Sequence, residues 1–157
     1  MILNAATNAN LPVQSGWCLM ETAQAFAWVG TTLLSDSTLV STATGGVWQG
    51  FAAQGSSNPY VIFTQQSGTD VLTMNAVRLY HDILMLIKAV GPASAYASLV
   101  VIANEIDSLF KRTGPTTLSQ GGVLACFREQ SICYEELING QQWSHLGGLY
   151  RIKLQGA

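Results

Sequence analysis

The stretch VLACFREQSICYEELI (residues 123–138), followed by Asn139-Gly140 and then by QWSHLGGLYRIKL (142–154), decides the fold. Two long runs of aliphatic, aromatic and β-branched residues flank a two-residue step. A type I′ turn needs positive φ at both central residues, which Asn and Gly tolerate. The sequence therefore predicts a long antiparallel hairpin, Val123–Ile138 against Gln142–Leu154. Arg128 and Glu129 interrupt the first run, so part of this hairpin is expected to face water or a partner subunit.

Working outward, Val77 to Ala89 alternates at its start and becomes apolar on both faces from Ile83 to Ile87. That pattern predicts a central strand covered on both sides, at least at one end. Tyr60–Thr64 reads as a buried strand opened by Pro59, and Val47–Phe51 as a short strand after Gly45-Gly46. The polar stretch Gln65–Asn75, with Ser67-Gly68-Thr69-Asp70 at its tip, reads either as a loop or as a twisted extension of both flanking strands.

Two helices complete the pattern. Trp17–Leu34 carries Leu19, Ala23, Phe26, Ala27, Gly30, Leu33 and Leu34 at helical spacing, with Ser15 as N-cap and Glu21 near the positive end of the dipole. Ser35-Asp36-Ser37 breaks it and caps a short turn through Thr38-Leu39-Val40. Ala95–Arg112 carries Leu99, Ile102, Ala103, Ile106 and Phe110. Ser94 is its expected N-cap, Lys111 and Arg112 suit its negative end, and Gly114-Pro115 stops it. The order α-β-β-β-α-β-β predicts an α+β fold: a mainly antiparallel sheet of about five strands with two principal helices packed on it. Residues 1–16 read as a loose N-terminal arm and 17–157 as a single domain.

Composition narrows the function. Only 10% of the 157 residues are charged, against about 25% in an ordinary soluble domain. Such an uncharged polar surface is poorly defended against association and points to a subunit of an assembly. The seven basic residues are scattered and the net charge is −2, which argues against a surface that tracks nucleic-acid phosphates. The first residues lack a basic segment followed by an apolar run, and no apolar stretch approaches the ~20 residues of a membrane span, so no signal peptide and no membrane partner are expected. Cys18, Cys126 and Cys133 are odd in number and contain no Cys-x-x-Cys, which predicts free buried thiols.

Catalytic patterns are sparse. His81 and His145 stand alone and read as ordinary strand histidines, without the three or four ligands of a metal site. A Cys126–His145 pair is conceivable only because the two strands are expected to pair. The double glycines at 45–46, 121–122 and 147–148 match no phosphate-binding loop and read as turns or close backbone approaches. Glu135 and Glu136 are adjacent on a strand and so point to opposite faces. Trp17, Trp28, Trp48 and Trp143 read first as packing residues, with one or two serving as interface anchors. No catalytic residue, metal or cofactor is expected.

The segment TGGVWQGFAAQGSSNPYVIF (44–63), preceded by Asp36-Ser-Thr-Leu39, resembles a phrase of the tail-completion, or tail-terminator, proteins of long-tailed bacteriophages. The end, YEELINGQQWSHLGGLYRI (134–152), is similar to the closing hairpin of that family. The resemblance spans roughly residues 20–155. Where many relatives carry Ala-Pro, this chain has Ala52-Ala53-Gln54. The resemblance implies a small α+β subunit forming a ring, usually of six, on the head-proximal end of a tail tube, assembled in the host cytoplasm and retained in the virion. The implied partners are other copies of itself, the tube protein, the neck or connector protein, and a sheath protein if the tail contracts. DNA would only pass through. A neck adaptor, a tube subunit or a small ligand-binding domain is the alternative. Arg128, Glu129, Arg151 and Trp143 are the expected subunit-interface residues. Gln65, Gln66, Ser67, Gly68, Thr69 and Asp70 are the expected axial contact loop.

Overall fold

The computed structural model describes residues 20–118 and 121–155. The expected arm 1–16, the N-cap Ser15, Trp17, Cys18 and Leu19 lie outside the described residues. Three helices, α1 (Met20–Ser35), α2 (Ser37–Thr42) and α3 (Tyr96–Phe110), pack on a sheet of seven strands. The strands are β1 (Val47–Gln49), β2 (Tyr60–Leu72), β3 (Arg78–Pro92), β4 (Arg112–Thr113), β5 (Thr116–Thr117), β6 (Gly122–Ile138) and β7 (Gln141–Gln155). The order across the sheet is β1-β2-β3-β7-β6-β4, with β5 also on β6. Every pair is antiparallel except β1–β2. The α+β class is as expected; β4 and β5 raise the strand count from about five to seven, because two-residue strands carry no periodicity to read.

The closing hairpin forms as its turn dictates. Asn139 and Gly140 adopt φ of 51° and 78°. Val123 pairs with Leu154 and Ile138 with Gln141 across β6 and β7. Of the two readings of residues 65–75, the strand extension is the one found. Gln65–Asp70 continues β2, shifts register past Gln66 and pairs with β3 as far as Leu72 opposite Arg78. The expected axial loop is therefore strand, and the hairpin tip is Thr73–Val77, closed by the Val77 carbonyl accepting from Thr73 N–H at 2.7 Å. Seven positions beyond Thr64 could extend the ladder because β3 supplies partners as far as Arg78.

The helical layer follows its caps. Asp36 accepts from Leu39 N–H at 2.7 Å, ending α1 and starting α2 as expected. Ser94 does not cap α3: it lies in a 3-10 turn, Ala93–Ala95, that intervenes before the helix. The helix stops at Phe110, and Arg112 enters β4 instead. On α3 the buried residues are the expected Leu99, Ile102, Ile106 and Phe110. On α1 the stripe is rotated. Thr22, Ala25, Val29 and Leu33 are buried, while Ala23, Ala27 and Leu34 are exposed. That helix is apolar most of the way round, so spacing alone did not choose its inner face.

Those helices cover one face of the sheet. Ile83, Met85, Ile87 and Ala89 of β3 and Tyr150, Ile152 and Leu154 of β7 form one core with them. The alternate residues of β3, including Leu84 and Leu86, are half-buried on the other face. The expectation of a strand covered on both sides at one end is met where Ala89, Val90 and Gly91 are buried in succession; over Leu84 and Leu86, among the described residues, no helix packs on that second face.

Candidate assembly surfaces

The uncovered face carries an aliphatic centre and two polar nodes. Ile62, Leu84, Leu86 and Leu149 sit side by side through the registers of β2, β3 and β7. At one end Arg151 of β7 bridges three strands. Its Nη1 donates to Asp82 of β3 at 2.8 Å, and its Nε and Nη2 grip Glu129 of β6 in a fork. Hydrogen bonding by Arg151 holds the Glu129 carboxyl below its ordinary range, and the same bonds raise the guanidinium further.

At the other end, His145 of β7 lies flat under Tyr134 of β6, ring centroids 4.4 Å apart and 5° from parallel. Its Nδ1 is 3.1 Å from Lys88 Nζ and its Nε2 is 3.0 Å from Glu136. Lys88 Nζ also donates to the Tyr134 hydroxyl at 2.8 Å. An ammonium has no acceptor, so His145 receives Lys88 at Nδ1 and donates to Glu136 from Nε2. Burial and the Lys88 charge push the His145 pKa down. Within this described surface, the cations at both ends have acceptors in the same chain.

Each expected interface residue has a place. Arg151 and Glu129 bond to one another on the uncovered face. Arg128 turns to the covered side and meets Asp107 of α3 at 2.7 Å. Trp143 stands half-buried beside Tyr60, centroids 6.5 Å apart. Among the six residues of the expected axial element, Gln66, Ser67, Gly68, Thr69 and Asp70 are exposed on β2. Asp70 accepts from buried His81 Nδ1 at 2.7 Å, and Gly68 stays clear of a Cβ that would crowd that imidazole.

The chemistry-bearing candidates do not converge. Cys126 sits opposite Ile152, whereas His145 sits opposite Tyr134, so the conceivable dyad is separated by eight positions along β6. The buried Cys126 thiol lies 3.3 Å from the Phe110 carbonyl, and burial pushes its pKa up to about 12. Cys133 is free but exposed, against the expectation that the described thiols would both be buried. Glu136 bonds His145 while Glu135 bonds Gln142, as opposite faces require. No group of three or more His, Cys, Asp or Glu is placed to hold a metal among the described residues. Nor, among them, is any helix long and apolar enough to cross a membrane.

Sequence reading missed the apolar hairpin ends. Leu72, Met74, Val77 and Leu79 are each more than half exposed around the β2–β3 tip, and Leu137 and Ile138 are exposed at the β6–β7 tip. The register puts these tips at opposite ends of the sheet, since β7 leaves β3 at Leu154–His81 and at Trp143–Pro92. The signal was present in Val71, Leu72, Met74 and Val77, but Gln65–Asp70 set the polar tone of the whole segment.

No protein-family model matches the chain, and no curated protein matches it. A solved structure does: a chain from the virion of a native gene transfer agent particle superposes with a TM-score of 0.68 at 16% identity, over 88% of this chain and 100% of that one. This likeness establishes that the two chains share a fold.

Proposed function

We propose that this protein is a structural subunit of a phage-like virion, and within it the ring that ends the tail tube and receives the neck. The observation that carries the reading is the likeness to a virion chain along that chain's whole length. The charge-poor composition, the exposed apolar hairpin ends and the uncovered sheet face support it, because each leaves surface that a neighbour would cover. The role is binding and steric occlusion rather than turnover. One face of the ring docks on the growing end of the tube. The other lacks the acceptor surface of a tube ring, so no further ring adds. Six copies around a channel, with tube protein on one side and connector on the other, is the arrangement proposed. A sheath protein joins them if the tail contracts.

The β2–β3 tip is the proposed axial contact. Thr73–Val77 and its flanking Leu72 and Leu79 replace Gln65–Asp70 as the element that reaches the tube or neck, since the latter residues are held in the strand. Met74→Ser with Val77→Ser leaves the core untouched. The expected result is a normal ring that no longer joins tubes to heads; full infectivity of particles carrying both changes would reject this contact. A tube subunit or neck adaptor is separated by particle mass. A tube subunit stacks into open polymers, whereas the terminator stops at one ring.

A further inference from the structure

A lysine in the middle of the sheet holds the outer half of β6. A bulge between Arg128 and Gln130 bends β6, and from there to Ile138 its ladder partner among the described residues is β7 alone. Lys88 reaches this segment from β3, one strand further in. Its register partner Gly147 has no side chain, so the lysine stem passes over β7. Lys88 Nζ then donates to the Tyr134 hydroxyl at 2.8 Å and to His145 Nδ1 at 3.1 Å. The same nitrogen stands 5.2 Å from the centre of the Tyr134 ring.

We infer that Lys88, His145, Tyr134 and Glu136 form a proton-operated latch: when His145 takes a proton at Nδ1, Lys88 is expelled from the node and the outer half of β6 loses its tie to β3. This goes beyond the virion reading and does not depend on it. Lys88 can bond Nδ1 only while that nitrogen keeps its lone pair, because an ammonium cannot accept. A proton on Nδ1 sets two donors and two positive charges face to face at 3.1 Å. The other neighbours favour the charged imidazole. Nε2 already lies 3.0 Å from Glu136, and the Tyr134 ring stacks on the imidazole at 4.4 Å. His145 is buried, whereas Lys88 is half-buried on a flexible stem that can swing out to water. The lysine therefore leaves, and the imidazolium replaces it as the cation on Tyr134.

The direction of the switch follows from what surrounds the imidazole. Among the described residues, the charged and titratable groups that face His145 are Lys88 from β3 and Tyr134 and Glu136 from β6. From β2, Tyr60 stands beside Trp143, and burial, then the Glu136 charge, raises its hydroxyl pKa. Glu136 invites a proton onto His145, while burial and Lys88 oppose it and prevail, so the His145 pKa lies below 6.5. The latch is thus closed at neutral pH and opens as pH falls through that lowered value. Opening frees an ammonium beside Leu86 and leaves Gln130–Ile138 held by β7 alone.

The test uses the full chain with lysine isotope-labelled at Cε, which gives three NMR signals: Lys88, Lys111 and Lys153. Lys88→Arg, Lys111→Arg and Lys153→Arg, made singly, assign them. At neutral pH the Tyr134 ring displaces the Lys88 signal. As the wild type is acidified to about pH 5, that signal moves to the position of a free lysine. In His145→Gln it stays put, because the carboxamide oxygen still accepts from Lys88 but takes no proton. Lys153, held near the Tyr80 and Phe127 rings, keeps its own shift and shows that the chain stays folded. Amide exchange over 130–138, corrected for its intrinsic pH dependence, accelerates roughly tenfold along the same titration, the measure of one lost charge-assisted hydrogen bond, while that over 83–90 does not. Lys88→Met shows the faster exchange over 130–138 already at neutral pH and no further response to acid. A Lys88 signal indifferent to pH overturns the latch, as does one that moves equally in His145→Gln. Movement of Lys88 with unchanged exchange over 130–138 overturns it too, and so does loss of the Lys153 shift at the same pH, which marks unfolding instead. These readouts are independent of how many copies associate, so the virion reading stands or falls separately.

Discussion

Ile83, Met85 and Ile87 alternate with Leu84 and Leu86 along a single strand, and the two sets meet different fates. The first three are fully buried in the core formed with the helices, whereas the leucines are half-buried on a face that no helix among the described residues covers. Five aliphatic residues in a row carry no information about what lies over each side. The covered face is completed by this chain. Among the described residues nothing completes the part of the other around Leu84 and Leu86, and the proposed ring gives that place to a second molecule. The same contrast separates the polar groups: Arg128 anchors a helix to the covered side through Asp107, while Arg151 ties together three strands in the open.

Truncation should expose this asymmetry most strongly. Phe110→Ala removes a fully buried ring that packs edge-on against Trp28 and beside Tyr150. It should cost about 3–5 kcal/mol in urea unfolding. Leu86→Ala, on the other face, should cost less than ~1.5 kcal/mol and yet weaken assembly. Equal losses of stability would erase the distinction. Gly147→Ala should come next. A Cβ there runs into the Ile87 carbonyl and the Lys88 backbone, where β7 lies against β3. Expect on the order of 2 kcal/mol of destabilisation by thermal melting, since the backbone must shift to admit the methyl group. Asp36→Ala removes the cap of α2, which carries buried Leu39 into the covered face, and should cost about 1 kcal/mol.

The smallest effect is a pH dependence on the uncovered face. His145 has its pKa lowered from 6.5 by burial and by Lys88, so the unfolded chain binds this proton more readily than the folded one. Its contribution to stability is therefore present above pH 6.5 and is lost as pH falls below it. Protonating Nδ1 would also set two donors against each other at Lys88. Melting temperature should decline below pH 6.5 in the wild type and decline less in His145→Gln. An identical slope in both would remove His145 as its source.

Much of this was legible because local chemistry decided it. Asn139-Gly140 fixed one hairpin, Asp36 one helix start, and the α3 stripe its buried face. Elements decided by distant partners were not. β4 and β5 exist because β6 offers an edge, and the extension of β2 through polar Gln65–Asp70 exists because β3 continues beside it. The α1 face was ambiguous because alanines and large apolar residues surround the helix. Of the expected surface residues, spacing could suggest Arg151 and Glu129 as contacts, but only the register of three strands shows them bonded to one another.

The central claim is that this chain ends tube growth, and tail length tests it most directly. Particles should be produced without this protein and their tails measured by electron microscopy. The account predicts overgrown tubes, or tails of any length that fail to join heads, with restoration by the wild-type chain supplied separately. Tails of normal length joined normally to heads in its absence would contradict it.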